Sequence, residues 1–247
     1  MSTIVVSAAE PSGDLLGAEL VRALSSRGDF RFVGVAGPHM RASGVEPLAR
    51  IEDLSAMGAV EVLGSLSAAR RVRRRLCEAL EQGPAALIVV DAPDLHLPVA
   101  RRARALGVPA IGYVCPQVWA WRPSRVGAIT ASLNRLLCLL SFEPALFPDL
   151  DAHWVGHPVL DRVHPRQGVD EHLYALLPGS REQEWVRHLP VFLEVVHRVL
   201  DRDPRARFRV CLPDRARVPP LPSHVERVSR VEELGEVRAA LTKSGTI

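Results

Sequence analysis

Lysine is almost missing from this 247-residue chain: Lys243 is the single one, and arginine supplies the rest of the 31 basic side chains. Against 28 acids they leave a net charge of +3. That balance, and the lack of aromatic residues among Arg70, Arg71, Arg73, Arg74 and Arg75, argues against a nucleic-acid partner. The arginine stretch reads either as a solvated helix face or as a contact for an anionic bilayer surface. Cysteine is scarce too. Cys77, Cys115, Cys138 and Cys211 lie far apart with no C-x-x-C pair, so neither a zinc site nor a disulfide framework is signalled, and a reduced cytoplasmic setting is the default expectation. The chain enters a strand pattern at once with "TIVVSAA", so no cleavable leader is expected, and apolar runs such as "AALIVV" at 85–90 are strand-sized, so any membrane contact is expected to be peripheral. Also absent are a G-x-G-x-x-G fingerprint after the first strand, a G-x-x-x-x-G-K-S/T loop and a G-x-S-x-G elbow.

What is present is a hydrophobic content of 47%, enough for a substantial core, arranged as short runs of Val, Ile and Leu that alternate with segments of helical period. "TIVVSAA" precedes a helix over 14–27, "RFVGVAG" one near 38–43, "AALIVVDA" one over 95–106 and "VPAIGYV" one over 122–132. A further helix is expected from about 66 to 82, and "RLLCLLS" reads as a strand at 135–141. Continuous apolar strands between helices predict an α/β fold with a mostly parallel sheet covered on both faces. After a polar, proline-containing stretch the pattern restarts with "LYALLPGS", a helix from 181 to about 201, the strand "FRVCLP" and a final helix near 231–241. Two domains are expected, 1–160 and 161–247.

In an open parallel sheet, ligands bind outside the carboxyl ends of the strands. The loop "SAAEPSGD" offers Glu10, Ser12 and Asp14, of which Ser12 or Asp14 could cap the following helix. In "VVDAPDLHLP", Asp91 closes an apolar strand; an acid in that position is desolvated and suits a general base. Asp94 reads as the cap of the next helix. In "YVCPQVWAWR", an extended backbone would turn Trp119 and Trp121 to one side, as a wall for a sugar or apolar group or as plugs for a core seam. "LLPGSREQEW" sets Gly179, Ser180 and Arg181 at a helix start, which suits either a phosphate or an ordinary N-cap. His153 and His157 are four apart, but Gly156 and Pro158 argue for strand and turn rather than a metal-binding helix.

Taken in order, "AAEPSGDLLGAELVRAL", "FVGVAGPHM", "MGAVEVLG", "VVDAPDLHLPVA", "GYVCPQVWAWRPSRV", "VGHPVLD" and "LLPGSREQE" resemble the successive signatures of the lipid-A-disaccharide synthase family. The resemblance implies a GT-B-like fold of two Rossmann-like parallel-sheet domains. It implies inverting transfer of 2,3-diacylglucosamine from UDP-2,3-diacylglucosamine to 2,3-diacylglucosamine 1-phosphate, on the cytoplasmic side of the inner membrane, with neither metal nor cofactor. By the same resemblance Asp91 is the general base, Glu10, Ser12 and Asp14 line its cleft, and Trp119 and Trp121 wall it. Gly179, Ser180 and Arg181 would meet the donor diphosphate, and Ser244, Gly245 and Thr246 match a donor-site motif. Met57, with Val60, Val62 and Leu63, would form an apolar surface for acyl chains or membrane, or an edge strand.

Departures from the family pattern are Ala9 for glycine, Cys115 for serine, and a missing proline before Phe142-Glu143. The family continues beyond "AALTKSGTI", so the second domain is expected to be incomplete, completed by a further segment or a second copy, and the chain alone to be nearly inactive. Two other readings stand beside the synthase: a non-catalytic remnant that binds lipid or nucleotide, and a different nucleotide-sugar enzyme such as an epimerase.

Overall fold

From mid-strand to their carboxyl ends, β1 (Ser2–Ala8) and β4 (Ala86–Val90) are buried at every position, with no polar face left for solvent. Only a sheet covered on both sides accommodates such strands. The computed structural model describes residues 1–55, 62–162, 168–214, 216–229, 237–242 and 245–246. The chain divides into two units, Met1–Arg162 and Val163–Ile247.

The first unit runs β1, α1 (Pro11–Ser25), β2 (Phe30–Ala36), α2 (Pro38–Ala42), β3 (Val45–Arg50), α3 (Ile51–Ser55), α4 (Val62–Leu80), β4, α5 (Pro93–Ala105), β5 (Ala110–Tyr113), α6 (Val118–Trp121), α7 (Val126–Ser132), β6 (Arg135–Cys138) and β7 (Asp151–Trp154). Its seven strands lie in the order β3-β2-β1-β4-β5-β6-β7, all parallel. The order reverses direction between β1 and β4, which makes the gap beyond their carboxyl ends the topological switch point. Helix α1 buries Gly13, Asp14, Gly17, Ala18 and Val21, a stripe of helical spacing. Gly17 is where α1 meets α2, since a Cβ there would lie 2.7 Å from the Met40 sulfur. In β2 a Cβ on Gly34 would fall 1.7 Å from the Val6 carbonyl oxygen, so only glycine lets the two strands approach as they do.

The second unit runs β8 (Asp170–Leu177), α8 (Glu182–Leu200), β9 (Arg207–Cys211), β10 (Val225–Val228), β11 (Val237–Thr242) and β12 (Gly245–Thr246), in the sheet order β10-β9-β8-β11-β12. All neighbours are parallel except β11 and β12. Helix α8 packs Trp185, Leu189, Phe192 and Val196 onto Leu176, Phe208 and Val210. The two units are Rossmann-like parallel sheets.

Several local expectations are overturned. Of the segment expected as a final helix near 231–241, residues 231–236 lie outside the described residues and the rest belongs to β11, which pairs with β8; a short apolar run does not distinguish helix from strand by period. Val62 and Leu63 open α4 rather than forming an edge strand, while Met57 and Val60 lie outside the described residues. Neither Ser12 nor Asp14 caps α1: the cap position is Glu10, with Pro11 at the first helical position. Among the described residues no helix is long and apolar enough to cross a membrane.

Candidate functional site

The register Ala8↔Val90 brings the ends of β1 and β4 side by side, so Glu10 and Asp91 leave the sheet together at the switch point. Glu10 and Ser12 are exposed there, on the first turn of α1. Asp91 and Ala92 have φ of 47° and 48°, and Val114, just past β5, has φ of 74°. Left-handed backbone is uncommon for side chains with a Cβ and an outlier for a β-branched one; such strain gathers at functional sites. The turn is anchored by the Asp91 N–H donating to the Tyr113 carbonyl at 3.1 Å and the Val114 N–H to that of Leu137 at 3.0 Å.

Solvent reaches the outer edge of Asp91, yet the strand ends behind it withhold enough water to hold its carboxyl above the usual aspartate range. A hydrogen bond from the Ala92 N–H works the other way, and the Glu10 carboxylate adds to the rise. A carboxylate with raised proton affinity beside an open crevice is a competent general base.

Asp14, expected in that cleft, is 1% exposed and turned away from it. Its Oδ1 accepts the N–H groups of Gly37 at 2.8 Å and Met40 at 3.0 Å, and its Oδ2 that of His39 at 2.9 Å. Helix α2 follows Gly37 directly, so this carboxylate satisfies the helix's first donors from another element. Gly37 must be small, because a Cβ would lie 2.4 Å from that carboxylate.

The tryptophan segment is helical, not extended. The four residues Val118–Trp121 make a single helical turn, α6. Trp119 is half-exposed and meets Phe142 edge-on, ring centroids 5.5 Å apart; the side chain of Trp121 lies outside the described set. Asp94, expected as a helix cap, instead pairs with Arg125 at 2.6 Å and so ties the start of α5 to the turn that follows α6.

Under Asp91 sits His96, which the sequence reading passed over. It is 1% exposed, with Nε2 2.9 Å from the hydroxyl of Ser7 and Nδ1 2.6 Å from the Asp91 carbonyl oxygen. Its one sequence signal is a place in the inward stripe Leu95, His96, Val99, Ala100 and Ala103 of α5. Burial lowers its pKa from 6.5 to about 4, partly opposed by the bond to Asp91. The unfolded chain therefore takes up a proton below pH 6.5 that the folded one refuses until about pH 4. This contribution to stability is complete above pH 6.5 and is lost as pH falls through that window. The loss amounts to about 3 kcal/mol, and His96→Gln is expected to remove that slope from denaturation curves taken between pH 4 and 7. An unchanged slope would show that other groups carry it.

In the second unit Gly179, at φ 122°, turns the chain into α8. The N–H groups of Ser180 and Arg181 both donate to Glu184 Oε2, at 3.1 and 3.2 Å, and a Cβ on Gly179 would lie 2.5 Å from the Glu184 Cβ. This helix start already holds a carboxylate, and Arg181 remains largely exposed beside it. Gly245 and Thr246 form β12; Ser244 lies outside the described residues. Among the described residues, ligand atoms of Cys115, Cys138 and Glu143 lie within 4.8 Å of one another, all buried, a set that could hold a soft cation. Glu143 also accepts the Leu140 N–H at 2.9 Å. His153 bonds Asp151, whereas His157 accepts the Val159 N–H at 3.1 Å, so the two imidazoles serve separate partners. A hollow of about 760 Å³, lined by Thr3, Arg31, Arg75 and Gln82 among others, opens at the amino ends of β1 and β4, opposite the loaded loops.

The family described as lipid-A-disaccharide synthetase matches residues 4–247. The chain belongs to that family. A lipid-A-disaccharide synthase from Neisseria meningitidis serogroup A is 44% identical over 220 residues, covering 83% of this chain and 57% of that protein. One from Chromobacterium violaceum is 38% identical over 230 residues, covering 86% and 59%. This member of the lipid-A-disaccharide synthetase family thus spans less than two thirds of the length of the curated relatives it matches. Among solved structures, the S. aureus MnaA–UDP co-structure has a TM-score of 0.67 at 12% identity, covering 99% of this chain and 74% of that one. The glycotransferase of kitacinnamycin has a TM-score of 0.65 at 18% identity, covering 99% and 76%. These likenesses show the fold, which is GT-B-like.

Proposed function

We propose that this chain carries the acceptor-side cleft and part of the donor site of a lipid-A-disaccharide synthase. The observation that carries this reading is Asp91: a carboxylate of raised proton affinity, at the switch point, in a chain that matches the family almost end to end. In the reaction, the 6-hydroxyl oxygen of 2,3-diacylglucosamine 1-phosphate attacks the anomeric carbon of UDP-2,3-diacylglucosamine. The bond from that carbon to the diphosphate oxygen breaks, UDP leaves, and Asp91 takes the hydroxyl proton. One displacement inverts the anomeric centre. Glu10 and Ser12 border the acceptor; Trp119 and Trp121 face sugar or acyl chain; Met57 and its neighbours meet acyl chains at the cytoplasmic surface of the inner membrane, where the protein sits peripherally.

Gly179, Ser180 and Arg181 hold the donor diphosphate, with Ser244, Gly245 and Thr246 completing that side. The support is chemical: two N–H groups and a guanidinium already surround the Glu184 carboxylate, and a diphosphate oxygen matches that acceptor. Arg181→Ala is expected to weaken UDP binding roughly ten-fold, with acceptor binding changed far less, because a charge-assisted contact to one ligand is lost. Titration calorimetry checks this, and an unchanged UDP affinity would remove Arg181 from the donor site. The function itself is tested by product analysis with both substrates. A β-linked disaccharide phosphate with stoichiometric UDP supports it, whereas an epimerised UDP-sugar or retention at the anomeric centre would overturn it.

A further inference from the structure

We propose that His96 is a positioning residue for the general base, fixing the backbone of Asp91 through a one-directional hydrogen-bond chain that begins at Ser7; the inference rests on the assignment of Asp91 above. A backbone carbonyl can only accept, so the 2.6 Å contact to Asp91 requires the proton on Nδ1. At neutral pH the buried imidazole carries no second proton, which leaves Nε2 as an acceptor and makes the Ser7 hydroxyl its donor, at 2.9 Å. The chain reads Ser7 O–H to Nε2, then Nδ1–H to the Asp91 carbonyl, with every polar atom satisfied inside the core.

The location gives this chain its purpose. Asp91 and Ala92 are consecutive left-handed residues without glycine, a strained arrangement that persists only where surrounding structure enforces it. Helix α5 does not hold the Asp91 carbonyl in its own ladder, because the N–H groups of Leu95 and His96 both go to Ala92. The imidazole grips that carbonyl instead. Rotating the peptide group away from His96 would swing the side chain that must meet the acceptor hydroxyl. His96 and Asp91 also share a cavity of about 20 Å³ whose other walls, among them Val89, Gly112, Val114 and Leu136, are apolar, so no second polar group there could replace the imidazole. Asp91 is the one titratable neighbour of His96 in that lining, and the bond to the ring is made by its backbone carbonyl.

Three readouts on the purified chain test this. Nitrogen-15 NMR of the histidines should find His96 neutral and protonated at Nδ1 at pH 7; protonation at Nε2 would overturn the hydrogen-bond chain whatever the protein catalyses. Carbon-13 titration of the Asp91 carboxyl should show its midpoint moving down toward the ordinary aspartate range in His96→Leu, as the turn relaxes toward water. His96→Gln, whose amide can both donate and accept, should restore it. A purely structural His96 would lower melting temperature in His96→Leu but leave that midpoint where it was, which overturns positioning. Where disaccharide synthesis is followed, His96→Leu should lower kcat about 10- to 100-fold with KM for both substrates little changed. If Asp91→Asn lowers turnover and His96→Leu does not, positioning fails and the assignment of Asp91 survives. If Asp91→Asn leaves turnover intact, the assignment fails and takes the catalytic role of His96 with it, while the NMR result still reports the hydrogen-bond chain.

Discussion

In a form active in disaccharide synthesis, Asp91→Asn is expected to lower turnover by roughly two to four orders of magnitude while UDP affinity stays close to that of the parent. Asparagine keeps the shape and the hydrogen bond from the Ala92 N–H but cannot take the acceptor proton. The same residue sets the acid side of the pH profile. With Asp91 as the proposed base, activity should require the carboxylate and fall as pH drops through the Asp91 pKa, and burial places that limb higher than an ordinary aspartate would. Glu10→Gln removes one of the influences that raise it, so the limb should move to lower pH. Rates across pH, with calorimetry for UDP, provide the check. Equal losses of turnover and UDP affinity in Asp91→Asn would mark Asp91 as structural.

The largest expected effect on stability belongs to Asp14. Asp14→Ala strips the acceptor from three backbone N–H groups around Gly37, His39 and Met40 at once and leaves a void among buried residues. Each orphaned buried donor costs about 1–3 kcal/mol, so a net loss of about 4 kcal/mol is expected after local relaxation. Asp14→Asn should cost far less. Its amide oxygen can keep the two bonds now made by Oδ1, to Gly37 and Met40, and only the bond from His39 is lost to an NH₂ group facing an N–H. Urea unfolding of the two variants separates these outcomes, and a loss under about 1 kcal/mol in Asp14→Ala would show that water replaces the carboxylate.

Asp14 also marks the limit of what can be read without a structure. Its place in "EPSGD", beside Glu10 and Ser12, makes it look like a cleft residue, but in α1 it stands two residues from Ser12, about 200° round the helix, which sets it inward. Its partners are 23 to 26 residues away in the chain, brought close only because β1 and β2 are neighbours. The extended backbone expected at the tryptophans failed for a related reason. Ala120 between them suits an extended strand, yet the turn after β5 closes into α6. The run around Val237 reads as a helix by period and becomes β11 because the edge of β8 was open to it.

The alternation of apolar runs with helical segments was enough to determine an α/β architecture, since a strand with no polar face has to be covered on both sides. Asp91 was legible for a similar reason: an acid ending the run Ala86–Val90 stands out against it, and a strand's carboxyl end is where ligands bind. The tertiary structure alone decided which loops share a crevice, because strand order sets Glu10 beside Asp91 across 81 positions of chain. It alone revealed His96, whose imidazole is one more buried member of a helix stripe until folding lays it between Ser7 and the Asp91 carbonyl. Hydrophobic period is a local property that the chain writes residue by residue, whereas a hydrogen bond between distant segments exists only once the sheet has brought them together.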